Sequence, residues 1–137
     1  MTTKSACPLE EDEAKALAQY LRLRGWPFTH IANESNGGTR SAVIRGAKMK
    51  AMGVARGVFD YEIFIPVRNW CGEIDAYQEI RVELKRKHGG SVSKEQKEWA
   101  EIYTKCGIPN AVCRGADEAI KFIEECQYAI GLSAQND

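Results

Sequence analysis

The chain has 137 residues, 44 % of them hydrophobic and 28 % charged. That is the size and composition of one soluble globular domain, which excludes wholesale disorder and a fibrous repeat. Its apolar runs fall far short of the ~20 residues a membrane helix needs. Lys plus Arg and Asp plus Glu both total 19, so bulk charge selects no partner and only its distribution along the chain can.

Residues 1–13 hold one lysine followed by an acidic cluster, with no apolar segment of the kind a secretory signal requires. The five cysteines, Cys7, Cys71, Cys106, Cys113 and Cys126, are odd in number and contain no C-x-x-C pair. This pattern fits neither a disulfide framework nor a zinc site, and points to reduced thiols in a cytoplasmic protein. Cys106 and Cys113 fall in apolar-patterned segments and read as core residues.

In chain order, the acidic run 10–13 opens a first helix, since negative charge complements the first turn's dipole. Ala14, Leu17, Ala18 and Leu21 recur at helical spacing, with Gly25 as the stop. Residues 27–32 read as a short strand and 36–39 as a loop. A second helix spans 40–52, with Val43, Ile44, Ala47 and Ala51 on one side. Residues 58–66 form a strand in which Ile63 and Ile65 alternate with Glu62 and Phe64. A polar loop follows over 66–76, then a strand over 77–85 with Ile80, Val82 and Leu84 facing one way and Arg81, Glu83 and Lys85 the other. Ser93 with Gln96 forms a capping box, and Trp99, Ile102, Tyr103 and Cys106 share a helix face. A strand over 108–113 and a helix over 116–130 complete the order αβαββαβα, an α/β fold with a mixed sheet flanked by helices.

Asp60, Glu83 and Lys85 stand out. Glu83 and Lys85 emerge on the same strand face, ~6.6 Å apart. If the two strands pair, Asp60 lies ~5 Å across, its carboxylate near that of Glu83. Two carboxylates so close call for a divalent cation, and Mg²⁺ commonly takes one or two of them with waters and phosphate oxygens. Lys85 beside them would orient a water or offset charge on a phosphate. Glu-x-Lys also fits a solvated ion pair, but Asp60 is out of place in a segment of Val, Phe, Tyr and Ile. Glu34 reads by pattern as a loop carboxylate or N-cap helper, and Gln96 serves either its capping box or a site contact.

Charge is segregated. Between residues 35 and 59 there is no acid, while Arg40, Arg45, Lys48, Lys50 and Arg56 are basic. A second cluster contains Lys87, His88 and Lys94. Two basic stretches bordering the acids suit a nucleic-acid face. Trp99 reads as core, Trp26 as packing under the first strand, and Trp70 as core or rim packing, with an interface or base stack as its other role.

Gly57-Val-Phe-Asp60, Val82-Glu-Leu-Lys85, Gly89-Gly-Ser-Val-Ser93 and Gln96 resemble the VRR-NUC group of the PD-(D/E)XK nucleases. So do His30-Ile-Ala-Asn-Glu34 and the closing Gly107-Ile-Pro-Asn and Gly115-Ala-Asp-Glu-Ala-Ile120, so the match runs from about His30 to Ile123. Phe59 departs from the family pattern, which has proline before the aspartate; that proline shapes backbone and binds no metal. The resemblance implies a single restriction-endonuclease-like domain over 1–137, with an N-terminal helix (1–27), a nuclease core (28–125) and a tail (131–137). It implies a metal-dependent DNA endonuclease in which Asp60, Glu83 and the backbone carbonyl of Leu84 hold Mg²⁺ or Mn²⁺. Glu34 would complete the site, directly or through water, Lys85 would serve the attacking water, and Gln96 would contact the site or a phosphate. Small members of the group resemble Holliday junction resolvases, which implies branched DNA as substrate and a homodimer, with the first helix and the 66–76 loop as interface elements. The alternatives are a flap or single-strand-selective nuclease, and a catalytically inactive DNA-binding module of the same fold.

Overall fold

A computed structural model of the chain describes residues 10–31 and 40–135. Eight elements follow in the expected order: α1 (Glu10–Arg24), β1 (Phe28–His30), α2 (Arg40–Ala51), β2 (Tyr61–Arg68), β3 (Ile74–Lys85), α3 (Lys94–Lys105), β4 (Asn110–Arg114) and α4 (Ala116–Gln135). The strands form one mixed sheet in the order β1-β2-β3-β4. The first three are antiparallel, and β4 is parallel to β3. That last pairing needs a crossover, which α3 supplies.

Period-two alternation decides which face of the sheet is buried. Tyr61, Ile63 and Ile65 of β2 and Ile80, Val82 and Leu84 of β3 join Leu17 and Leu21 of α1 and Ala119 and Ile123 of α4 in one apolar core. Helices α1 and α4 therefore cover that face. A smaller cluster on the other side holds the α3 residues Tyr103 and Trp99, whose rings lie 5.8 Å apart, with Phe59 edge-on to Tyr103 at 5.2 Å. Among the described residues no helix is long and apolar enough to cross a membrane.

The expected 66–76 loop is mostly strand. Pro66 pairs with Tyr77 and Val67 with Ala76, leaving a tight turn between Arg68 and Ile74. Pro66 is tolerated because its missing N–H would point away from β3. Phe64, two residues earlier, directs its N–H to Pro27, and β1 does not extend as far as Pro66. At its other end β2 begins at Tyr61 rather than Val58, and α4 continues past Ile130 to Gln135. Three packing expectations are corrected. Helix α2 buries none of its residues, and Val43 and Ile44 face solvent. On α3 only Tyr103 is fully buried; Ile102 is exposed, as is Cys106, which caps the helix. Trp70, expected at core or rim, is 95 % exposed at the hairpin turn.

Candidate active site

Register builds the site. Tyr61 pairs with Val82, so Asp60, one residue before, comes level with Glu83. The Asp60 N–H donates to Glu83 Oε2 at 2.9 Å, and the Leu84 N–H donates to Asp60 Oδ2 at 3.3 Å. Lys85 Nζ lies 3.5 Å from Glu83 Oε1. Gln96 Nε2 donates to that same oxygen at 2.6 Å. Glu83 thus gathers the Lys85 and Gln96 side chains and the Asp60 N–H at the end of the sheet, while the Asp60 carboxylate is held beside it by the Leu84 N–H.

The segment before Asp60 is clamped onto α3. Gly57 has φ +86°, and a Cβ there would stand 2.5 Å from the Glu95 carbonyl carbon, so only glycine allows the approach. Trp99 Nε1 donates to the Arg56 carbonyl at 3.0 Å, and the Phe59 N–H donates to Tyr103 Oη at 3.4 Å. Phe59 is fully buried. A buried aromatic thus anchors the backbone at the position where the resembling family has proline.

Gln96 serves both of its expected roles. Its Oε1 accepts the Ser93 N–H while Ser93 Oγ accepts the Gln96 N–H, closing the capping box. Only its amide nitrogen is left for Glu83, so the box fixes which way that amide points. The first turn of α3, the positive end of its dipole, therefore adjoins the Glu83 carboxylate.

Glu83 is only 4 % exposed. Burial first, then the Asp60 charge, push its carboxyl up to about 7, against the Asp60 N–H and Lys85, which favour the charged form. Asp60 is raised by burial, opposed chiefly by the Leu84 N–H and by His30 and Lys85. Glu10 adds to the upward push on Asp60. It also adds to that on Tyr61, which burial and Asp60 take to about 12. The arrangement is a crowded pair of carboxylates with one lysine beside it, short of positive charge.

Glu34 lies outside the described residues. Among the described residues no three His, Cys, Asp or Glu side chains are grouped to share a metal ion. The basic residues Arg40, Arg45, Lys48, Lys50, Arg56, Lys87, His88 and Lys94 are all exposed. Arg114 holds the loop carrying Lys87 and His88, donating to the carbonyls of Gly89 at 2.7 Å and Gly90 at 3.1 Å.

Sequence reasoning missed Glu10, His30, Glu13 and Arg114. The His30 ring stacks on Tyr61 at 4.5 Å, beside Asp60. Glu13 is buried and accepts the Ala116 N–H at the start of α4. In the sequence these acids look like ordinary dipole complements of α1, because what distinguishes them is contact across the fold.

A four-stranded mixed sheet with helices on both faces is consistent with a restriction-endonuclease-like α/β fold. A solved structure titled "VRR_NUC domain protein" superimposes with a TM-score of 0.62, covering 90 % of this chain and 89 % of its own at 23 % identity. This chain therefore has the fold of a VRR-NUC domain. No family model matches the sequence, and no curated protein matches it.

Proposed function

We propose that the protein is a metal-dependent DNA endonuclease of the VRR-NUC type, acting on branched DNA, Holliday junctions first, as a homodimer. The observation that carries this reading is the juxtaposition of two carboxylates, Glu83 accepting the Asp60 N–H and Asp60 accepting the Leu84 N–H, with Lys85 and Gln96 on one Glu83 oxygen. The VRR-NUC name of the structural neighbour supports the nuclease class.

The donor set suits a hard divalent cation. Two carboxylates of raised proton affinity, with the charge of Glu10 nearby, ask for a positive partner. Mg²⁺ or Mn²⁺ accepts this number of carboxylates and completes its shell with waters and phosphate oxygens. The odd residues of β3 turn their backbone groups to β4, as the Arg81 to Pro109 and Gly115 to Lys85 bonds record. Leu84 therefore turns its N–H toward β2 and Asp60, and its carbonyl, on the same side, would be a further ligand. Glu34 remains a fourth donor in this reading. Bound there, the cation would supply Lewis acidity toward the attacked phosphate and the neighbouring water.

The chain's own residues do the rest. Gln96 locks the Glu83 carboxylate in place, and α3 brings its positive end up to the phosphate. Lys85 orients the attacking water and offsets charge gathering on the phosphate oxygens. In-line attack breaks the bond to the 3′ oxygen and leaves 5′-phosphate and 3′-hydroxyl ends. The exposed cations of α2, Arg56 and the 87–94 segment contact the backbone on either side of the cut.

The test offers a mobile four-way junction, a flap and a plain duplex to the purified protein with Mg²⁺ or Mn²⁺. Junction cutting that EDTA and Glu83→Ala both abolish is the expected result. Preferred flap cutting would move the reading to the flap-selective alternative. Metal-independent binding without cutting, unchanged in Glu83→Ala, would make the protein the inactive binding module.

A further inference from the structure

The end of the sheet remote from Asp60 holds a second surface. The turn joining β2 and β3 is rigid: Asn69 Oδ1 accepts the N–H groups of Cys71 and Glu73, both at 3.0 Å, and Arg68 donates to the Gly72 carbonyl at 2.7 Å. This turn presents Trp70 with 95 % of its surface in water. Beside it, where the hairpin runs under the last turns of α4, lies an open groove of about 680 Å³. Its apolar walls are Val67 on the sheet and Phe122, Cys126 and Ile130 on the helix. From Gln127 to Gln135 α4 has no charged residue.

Nucleic acid is a poor occupant. The charges around the groove and turn are Arg68 against Glu73, Asp75 and Glu125, an excess of acid that repels phosphate. The eight residues of β2, at ~3.3 Å each, also put the turn about 25 Å from Asp60. A two-fold pairing needs knob and hole in the same patch, with both signs of charge. Here the Trp70 knob adjoins the groove, and Arg68 on the sheet wall stands across it from Glu125 on the helix wall.

We propose that a second copy of this chain docks here, Trp70 of each protomer entering the groove between α4 and the β2–β3 hairpin of the other. Arg68 of each copy then meets Glu125 of its partner at the rim. An indole buried in an apolar pocket and ringed by a charge pair is the usual anatomy of an interface anchor. Pairing at this end covers neither set of Asp60, Glu83 and Lys85. It names the surface for the homodimer of the reading above, and rests on that reading only for why two sites act together.

The full chain, free of DNA and divalent cation, is weighed by sedimentation equilibrium across micromolar concentrations. Twice the chain mass of 15.3 kDa is expected. Trp70→Ala, which cannot disturb a core it does not touch, weakens the dimer roughly tenfold or more. Arg68→Glu and Glu125→Arg each weaken it, and together restore it. A monomer throughout overturns the proposal. So does a dimer that Trp70→Ala leaves intact and Ile44→Glu on α2 breaks, or a Trp70→Ala protein of unchanged mass that has lost DNA affinity. A dimer of the expected behaviour without nuclease activity would sink the enzyme reading and leave this surface standing.

Discussion

Raising the pH should destabilise the cation-free protein, and Glu83 sets the size of the effect. Its carboxyl moves from 4.5 to about 7 on folding, through burial and then the Asp60 charge. Below the unfolded value both states hold the proton and nothing is lost. Between the two values the unfolded chain releases it while the folded protein keeps it, so stability falls as pH rises, and above about 7 the full penalty applies. At about 1.4 kcal/mol per pH unit this amounts to roughly 3 kcal/mol, or about 10 °C in Tm for a domain of this size. The assay is urea unfolding in EDTA at intervals from about pH 5 to about pH 8.5, on wild type and Glu83→Gln. The glutamine amide cannot accept from Asp60 and Gln96 at once, but that cost does not vary with pH and cancels in the slope. Wild type is expected to lose ground against the variant by about 2.5 kcal/mol across that range, the rest of the loss lying below about pH 5. Mn²⁺ should restore it at high pH, in wild type alone. A stability difference that stays flat with pH would refute the crowded-carboxylate account.

Three further outcomes follow from the same geometry. Lys85→Met should slow cutting by about 10²–10⁴-fold while DNA affinity in Ca²⁺ is kept, read by single-turnover rates beside filter binding; equal losses in both would make Lys85 a DNA contact only. Gly57→Ala places a Cβ 2.5 Å from the Glu95 carbonyl carbon at φ +86°. It should cost about 2 kcal/mol by urea unfolding and disable the site with it. Lys48→Ala, on the exposed face of α2, should weaken binding to all DNA sequences alike. It should also reduce the salt slope of log K by about one; an unchanged slope would remove α2 from the interface.

The sequence was most informative wherever one residue's neighbours along the chain determine its environment. Strand alternation in β3 placed Ile80, Val82 and Leu84 in the core, and Ser93 with Gln96 marked the start of α3 to the residue. Element order and the juxtaposition of Asp60 with Glu83 were legible for the same reason, because hairpin register follows from pattern. Pro66 misled, since its tolerance depends on how short β1 is, which local pattern does not reveal. The apolar side of α2 read as core, although among the described residues the helix buries none of its own. Trp70 was misplaced at core or rim, because a lone tryptophan in a polar turn gives no periodicity to interpret. Glu10 and His30 reach Asp60 only through folding, so no spacing in the chain announced them.

A crystal of the full chain soaked in Mn²⁺ and measured at the manganese absorption edge bears most directly on the central claim. An anomalous peak is predicted within ligation distance of both the Asp60 and Glu83 carboxylates and lost in Glu83→Gln. A map with no peak there, or with manganese bound elsewhere and those carboxylates still bonded only to Leu84, Asp60, Lys85 and Gln96, would contradict it.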